Sequence, residues 1–422
     1  MSSAARPALV ELLVSAFQAG LAELDPADLV ERALDPPARG LAALRGPGAT
    51  GRIALLAVGK AALAMARGAR RAWGDRIEGG LVVTIDGPGA DEGALGGIEV
   101  CRAAHPIPDE RSVAAAEAAL ALAGGLGPDD QLLALVSGGA SALLAAPPLG
   151  VPLADKRALV AALLDAGAPI HDVNLVRRHL SRVKGGRVAA ATAPAAVLTL
   201  ILSDVIGGLP HDIGSGPTVP DPTRLDDALA ALRRWAPAYA HLAPALAGSP
   251  PRRAGPPPEA RVLAEPATLA ERTAAALCRA GLRARAAPAE QGEARVMTER
   301  RIALARALSP GEAIVLACEP TLALPARRGA GGRAGWVALA AMRALPPDTA
   351  LLCAASDGVD GSSGAAGAVV TRAAADAAGA DAIDAALTGF DDAPLHRALG
   401  TRIEGAPTGH NLADLHIVAR AL

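Results

Sequence analysis

Seven short apolar runs, at residues 53–58, 80–85, 132–136, 196–202, 261–264, 313–317 and 351–354, alternate with stretches rich in alanine and leucine. The runs read as buried strands and the stretches between them as helices. Strand and helix in alternation give parallel sheets covered by helices, an α/β fold. In such sheets ligands sit beyond the carboxyl ends of the strands, so the loops leaving these runs are where chemistry is expected. At 422 residues the chain exceeds what one core supports, so two domains are expected. The segment Pro250-Pro-Arg-Arg-Ala-Gly-Pro-Pro-Pro258 reads as a linker, which gives a first domain at 1–245, a linker at 246–260 and a second, smaller α/β domain at 261–422.

Several functions are excluded by what the chain lacks. A net charge of −2, with two Phe, one Tyr and three Trp, offers no basic groove and no stacking platform for nucleic acid. The longest uncharged stretch, 131–154, contains Ser137-Gly-Gly-Ala-Ser141, Pro147-Pro148 and Pro152, which would break a membrane span. Leu9, Leu12, Leu13, Phe17 and Leu21 form an amphipathic pattern, a helix of a folded domain rather than a secretory signal. Cys101, Cys278, Cys318 and Cys353 lack metal-ligand spacing and fit reduced thiols in a cytoplasm. No repeat is evident, and monomer and homodimer both stay open.

Lysine is scarce: Lys60, Lys156 and Lys184 stand against 38 arginines. A surface that needs only positive charge takes arginine equally well. What arginine cannot supply is a compact, rotatable ammonium on a slim stem, the point-charge partner of a transferring phosphate or a substrate carboxylate. Two of the three lysines are flanked by glycine, in Val-Gly-Lys60 and Val-Lys184-Gly-Gly-Arg187. Lys60 follows an apolar run through Gly59 and begins a helical stretch at 61–73. A cation there opposes the helix dipole by up to ~1 kcal/mol unless an anion lies nearby. An anion-site lysine is the favoured reading; the alternative is a solvated lysine that happens to begin a helix.

Four other loops carry polar or glycine-rich text. In Ser137-Gly138-Gly139-Ala140-Ser141 the glycines let backbone N–H groups turn inward around a phosphate, with Ser141 capping the next helix, although an ordinary tight turn also explains it. Asp204, after the run 196–202, stands where a magnesium ligand or general base is usually found, unless it only bonds the following turn. Gly214-Ser215-Gly216 follows closely; His211 and Asp212 receive no role. On the helix expected around 171–182, Asn174, Arg177 or Arg178, and Ser181 line one side while Leu175 and Leu180 face the core. That side is a cationic patch for a small anion or a solvated face, and nearby Lys184 favours the first. In the second domain Arg333 follows Gly329-Ala-Gly331-Gly332 at a helix start, as Lys60 follows Gly59, and Asp357 and Asp360 follow the last run. A cleft between the domains would bring Lys60 and Arg333 toward one anion, which suits phosphoryl transfer.

These strings come in a fixed order: Val58-Gly-Lys60-Ala-Ala, His105-Pro-Ile-Pro-Asp109-Glu110, Ser137-Gly-Gly-Ala-Ser-Ala142, Val176-Arg-Arg-His-Leu-Ser181-Arg-Val-Lys184-Gly-Gly-Arg187, Ser203-Asp204-Val-Ile-Gly, Gly214-Ser-Gly-Pro-Thr-Val-Pro-Asp221, Gly292-Glu-Ala-Arg295 and Pro407-Thr-Gly409. Together they resemble the class II glycerate 2-kinase family, whose second domain is of the MOFRL type and whose members are at times called hydroxypyruvate reductases. The resemblance spans nearly the whole chain. It implies a Rossmann-like first domain with helices on both faces of a parallel sheet, and ATP- and Mg²⁺-dependent phosphorylation of D-glycerate at its 2-hydroxyl to give 2-phosphoglycerate. In that family a lysine matching Lys60 and an arginine matching Arg333 are regarded as the catalytic cations, in agreement with the choice made from the residues.

The expected site therefore has Lys60, Arg333 and Asp204 in catalysis. Ser137, Gly138, Gly139, Ser141, Gly214, Ser215 and Gly216 would hold nucleotide or phosphate. Arg178, Ser181 and Lys184 would hold the substrate, a small hydroxy-acid, and Asp204 and Asp360 the metal. The second domain departs from the family pattern. Gly331-Gly-Arg333-Ala-Gly-Trp336 stands for Gly-Gly-Arg-Asn-Gln-Glu, Gly364 replaces an acid, Ala317-Cys-Glu319-Pro-Thr321 stands for Ser-Gly-Gly-Glu-Thr-Thr, Thr408-Gly-His410-Asn411-Leu-Ala-Asp414 for Thr-Gly-Thr-Asn-Val-Asn-Asp, and Gly208 for an aspartate. These changes motivate one alternative, a ligand-binding or regulatory descendant of the kinase. Another is an NAD-dependent hydroxypyruvate reductase with Asp86 as the ribose-binding acid, disfavoured because Gly59-Lys60-Ala-Ala is not a Gly-x-Gly-x-x-Gly turn.

Overall fold

A computed structural model of the chain describes residues 5–35, 51–86, 95–247 and 255–422. Residues 248–254 of the expected linker lie outside the described residues. The chain forms two compact units, one drawn from 26–203 and 208–263, the other from residues up to 25, 204–207 and 264–422.

The first unit is built on a six-stranded sheet of β1 (Ile53–Val58), β2 (Ile77–Ile85), β3 (Ile98–Ala103), β4 (Gln131–Ser137), β5 (Ala196–Leu202) and β6 (Glu259–Ala264), in the order β3-β2-β1-β4-β5-β6. The pairs β2/β3, β1/β2, β1/β4 and β4/β5 are all parallel. β1 and β4 are buried along their whole length, as strands covered on both faces must be, which is why their sequences are unbroken apolar runs. The edge strand β3, Ile-Glu-Val-Cys-Arg-Ala, escapes a search for such runs because two of its positions are charged. Helix Ala62–Trp73 packs on β1, β2 and β4, and helix Glu110–Gly124 on β2 and β3. Asp109 begins the latter with a capping box shared with Ser112. Leu159 and Leu163, Val173 and Val176, and Leu232 join helices Leu153–Asp165, Ile170–His179 and Leu225–Trp235 in one apolar cluster, which fixes the helix bearing Arg177 and Arg178.

The second unit carries β7 (Arg283–Ala286), β8 (Glu290–Glu293), β9 (Glu312–Thr321), β10 (Thr349–Ala355), β11 (Ala365–Thr371), β12 (Arg402–Glu404) and β13 (Asp414–Arg420), in the order β12-β11-β10-β13-β9-β7 with β8 beside β9. Here the expectation of a parallel sheet fails. β13 runs antiparallel to both β10 and β9, and β11 antiparallel to β10 and β12; only β7 and β8 run parallel to β9. The loop 356–364 is shorter than the dozen or so residues a parallel crossover needs, so β11 must return beside β10 as a hairpin. Helix Arg333–Met342, apolar almost throughout, packs on β10 and β11. The N-terminal helix Ala5–Glu23 belongs to this unit rather than to the one that follows it in sequence. Leu13, Ala16 and Phe17 are buried, and Gly20 lies against Thr273 of helix Pro266–Arg279. No helix among the described residues is long and apolar enough to cross a membrane.

Candidate functional site

The strand order of the first unit reverses between β1 and β4: the chain builds outward through β2 to β3, then returns to the other side of β1. Val58 and Val136 are register partners, so the loops after them flank the crevice that such a reversal opens. Those loops are Gly59–Lys60 and Ser137–Ser141, and they are tied together. Gly59 N–H donates to Val83 O at 3.1 Å, Lys60 N–H to Gly138 O at 2.9 Å, and Ala61 N–H to the fully buried Ser137 hydroxyl at 3.1 Å. Gly59 has φ +130°, and a side-chain carbon there would run into the Ser137 hydroxyl and come within 2.6 Å of its carbonyl oxygen. Glycine is thus required for the two loops to touch. Lys60 is partly exposed, and its stem passes over Gly139, where an added carbon would lie 3.3 Å from Lys60 Cγ and 3.2 Å from the ring of the exposed His105. His105 is a neighbour to which sequence reasoning gave no role.

Ser141, Ser215 and Arg177 meet on the far side of the same loop. The Ser141 and Ser215 hydroxyls are 3.0 Å apart, and Arg177 donates from Nη2 to Ser141 Oγ at 2.6 Å and from Nη1 to Asn174 Oδ1 at 3.2 Å. Ser215 has φ +63° between Gly214 and Gly216, both at +60°, and the carbonyls of Ser215 and Gly216 accept from Gly185 N–H and Gly186 N–H at 3.0 and 2.7 Å. The segments 137–141, 174–187 and 214–216 therefore converge.

The residues chosen there for the substrate are interior instead. Arg178 is 1% exposed and paired with Asp212 and Asp221 at 3.2 and 3.4 Å; the helix presents Arg177, one position earlier, to the serines. Lys184 is also 1% exposed, donates to the carbonyls of Ser141 and Leu144 at 2.8 and 3.2 Å, and has its pKa pushed well below the usual lysine range by burial. It holds the end of the short helix Ala140–Leu143. The Ser181 hydroxyl accepts from the N–H groups of Val183 and Lys184, both at 3.3 Å, and so shapes the turn. Lys156, the third lysine, donates to Leu180 O at 2.7 Å, and burial lowers its pKa to about 7.

In the second unit Arg333 opens its helix behind Gly332, as expected. It reaches Asp414 at 3.2 Å from Nε and 3.3 Å from Nη2, Glu319 at 3.6 Å and Pro320 O at 3.4 Å. Asp414 is buried at the start of β13, and its pKa is raised to about 7 because burial outweighs the pull of Arg333. Asp204 Oδ2 accepts from Asn411 Nδ2 at 3.0 Å. Asp360, expected as a metal ligand, is 2% exposed and accepts from Ala334 N–H and Gly335 N–H at 3.1 and 2.8 Å, which makes it the cap of the Arg333 helix. No three His, Cys, Asp or Glu side chains gather as a metal-binding group among the described residues. Asp392, unforeseen from the sequence, is buried against Gly331 and Gly335, where a side-chain carbon would strike its carboxylate; burial, with the charge of Asp360, lifts its pKa to about 7.

Comparison with known proteins identifies the family. Residues 12–246 match a domain family of unknown function, DUF4147, and residues 312–414 match the MOFRL family. A protein of Agrobacterium vitis, provisionally named a hydroxypyruvate reductase, is 37% identical across 97% of this chain and 94% of its own length. The D-glycerate 2-kinase of Thermotoga maritima is 44% identical over 44% of each chain. The crystal structure of a glycerate kinase from Thermotoga maritima superposes with a TM-score of 0.82, at 29% identity, over 98% of this chain and all of that one.

The chain belongs to the class II glycerate 2-kinase family.

Its departures from the pattern of class II glycerate 2-kinases have structural counterparts. Trp336, at the position of an acid, is 3% exposed, stacks on Phe390 with ring centres 6.3 Å apart and lies 5.4 Å from the Arg295 guanidinium. Gly335, at the position of an amide, leaves the space that Asp392 fills. Asn411 and Asp414, retained from the closing motif, are the partners of Asp204 and Arg333.

Proposed function

We propose that this chain is a glycerate kinase that transfers the γ-phosphate of ATP to the 2-hydroxyl of D-glycerate in the cytoplasm. The observation that carries the reading is the pair of stitched loops at the β1/β4 reversal. A glycine-dependent contact holds Lys60 over Gly139, and the N–H-rich turn of Ser137–Ser141 faces the same crevice. Phosphoryl transfer asks a protein chiefly for alignment and charge neutralisation. A lysine fixed at its backbone with a mobile ammonium supplies the second.

The residues fit a nucleotide better than they fit a protein-bound metal. Both oxygens of Asp360 serve backbone N–H groups, so Asp204 is the carboxylate that would hold Mg²⁺. Bound Mg²⁺ supplies charge neutralisation on the phosphate oxygens. Lys60 and Arg333 are assigned to the transferring phosphoryl group, Gly138, Gly139 and Gly214 to the phosphates through backbone N–H, and Asp204 to orienting the attacking hydroxyl; the Gly216 N–H is already given to Ile213 O at 2.9 Å. Asp86, the acid a reductase would need for a ribose, is instead clamped by both terminal nitrogens of Arg111, at 2.7 and 2.9 Å.

A coupled ADP-release assay with D-glycerate, L-glycerate, tartronate and hydroxypyruvate, followed by NMR of the product, tests the reading. D-Glycerate should be the preferred acceptor and carry phosphate at C2. Lys60→Met should lower kcat at least ~100-fold with melting temperature unchanged, and Arg333→Met should lower it as far while also shifting the melting temperature, because Asp414 loses its cation. NADH oxidation with hydroxypyruvate and no ADP release would sink the kinase reading in favour of a reductase, and tight binding without turnover in favour of a ligand-binding descendant.

A further inference from the structure

We infer that Arg177, with the hydroxyls of Ser141 and Ser215, forms a carboxylate-recognition subsite that makes the chain select an anionic acid over its neutral analogues. This rests on the reading of the chain as a hydroxy-acid kinase and adds the group that reads the acid end of the substrate.

The region around Ser141 holds more cations than anions. Lys156, Arg177, Arg178, Lys184 and Arg187 cluster beneath the converging loops, and the acids among them, Asp212 and Asp221, are engaged by Arg178 at 3.2 and 3.4 Å. Arg187 also feels Asp221 and donates to the carbonyls of Arg178, Lys184 and Ala247. Lys156 and Lys184 turn their ammonium groups to backbone carbonyls inside the fold. Among the described residues no carboxylate pairs with Arg177, and its acceptors are two neutral oxygens, Ser141 Oγ and Asn174 Oδ1. Burial pushes its pKa down, and no acid counters that. A half-buried guanidinium with no carboxylate partner favours an anion that completes it.

The chemistry of the pocket specifies which anion. A guanidinium presents a planar fork that matches the two oxygens of a carboxylate. Ser141 and Ser215, 3.0 Å apart, share one hydroxyl proton between them, so the other O–H can donate outward. Ser215 is held in its left-handed conformation by flanking glycines and by Gly185 N–H on its carbonyl, so its hydroxyl is set before any ligand arrives. A neutral amide or ester in the same place would leave the guanidinium uncompensated, and sites with buried polar groups reject such analogues strongly. Phosphate groups have their own cation in Lys60, on the Gly139 side of the loop.

The test compares full-length wild type with Arg177→Met, Arg177→Lys and Ser215→Ala, each checked for melting temperature. Calorimetry would measure binding of D-glycerate, its neutral amide and inorganic phosphate, and steady-state assays would separate the two Michaelis constants. Wild type should bind D-glycerate at least ~10-fold more tightly than the amide. Arg177→Met should erase that preference and raise KM for D-glycerate ~10- to 100-fold with KM for ATP unchanged, and Arg177→Lys should restore part of the loss. Ser215→Ala, which leaves the guanidinium in place, should raise KM for D-glycerate alone, which keeps the inference testable if Arg177→Met does not fold. A rise in KM for ATP alone, equal binding of acid and amide by wild type, or inorganic phosphate bound as tightly as D-glycerate would overturn the subsite. Wild type that selects D-glycerate but releases no ADP would refute the kinase reading and leave the subsite standing. Normal ADP release with an unchanged KM for D-glycerate in Arg177→Met would do the reverse.

Discussion

Replacing Asp414 by asparagine should make the protein more stable and less active, and the size and pH dependence of the gain follow from the geometry. Asp414 is 3% exposed and Arg333, its partner at 3.2 Å, is 40% exposed. Both pKa values rise, an apparent contradiction for an ion pair. The asymmetry of burial resolves it: attraction dominates on the half-exposed arginine, whereas loss of water dominates on the enclosed carboxylate. A carboxyl whose pKa climbs from 3.8 to about 7 on folding stabilises the fold below 3.8, and that contribution is lost as pH rises toward 7. The gap corresponds to ~4 kcal/mol as a ceiling. An asparagine carries no such penalty, although its amide N–H₂ faces Arg333 donors and offsets part of the gain, so we expect roughly 1–3 kcal/mol at pH 8 and about none at pH 4. Without the carboxylate Arg333 loses its buried anchor, and kcat should fall ~10- to 100-fold. Urea melts at pH 4.5, 6 and 8 beside ADP-release rates read both effects. A variant less stable than wild type at pH 8, or a difference that does not grow with pH, would refute the reasoning.

Gly59→Ala would place a methyl group in the Ser137 hydroxyl at φ +130°; we expect a loss of at least ~2 kcal/mol and of nearly all kinase activity, seen by calorimetric melting and ADP release. Asp360→Ala removes the acceptor of two buried N–H groups at the Arg333 helix and should lower stability by ~1–3 kcal/mol; a change under ~0.5 kcal/mol would show that the cap matters little. Lys156 has its pKa lowered from 10.5 to about 7, so wild type gains stability as pH rises through that window. Lys156→Met should therefore be the more stable protein at pH 6, by roughly 2–4 kcal/mol, with the advantage shrinking toward pH 10 in thermal melts; a constant difference would contradict the assignment.

The first unit was legible because a parallel sheet buried on both faces leaves an unmistakable trace. β1, β4 and β5 are predominantly apolar and almost wholly buried, and the loops after β1 and β4 carry the glycines that bring Lys60 beside Ser137. The second sheet was less so. β13 reads Asp-Leu-His-Ile-Val-Ala-Arg, and the polar residues Asp414 and His416 are buried because Arg333 and Arg301 meet them there. A partner distant in sequence cannot be inferred from hydropathy. The same limit misplaced helix Ala5–Glu23, whose apolar stripe says that it packs on something without saying that the partner is helix Pro266–Arg279.

The scarcity of lysine marks something broader than catalysis. At Lys156 and Lys184 the ammonium donates to backbone carbonyls in the interior, so these two lysines serve the fold rather than a ligand. Lys60 alone among the three is partly exposed, with its stem laid over Gly139 and its backbone N–H bound to Gly138 O. Conversely, the choice between Arg177 and Arg178 could not be made from helical spacing, since adjacent positions differ by about 100° and either satisfies an i to i+4 pattern with its neighbours. What decides it is Asp221, forty-odd residues on in the chain, which claims Arg178 and leaves Arg177 to face the serines. Swapping the order of demand, by Asp221→Asn, should therefore destabilise the fold through Arg178 while leaving the KM for D-glycerate nearly unchanged. Separation of those two readouts would show that adjacent arginines on one helix turn serve separate ends.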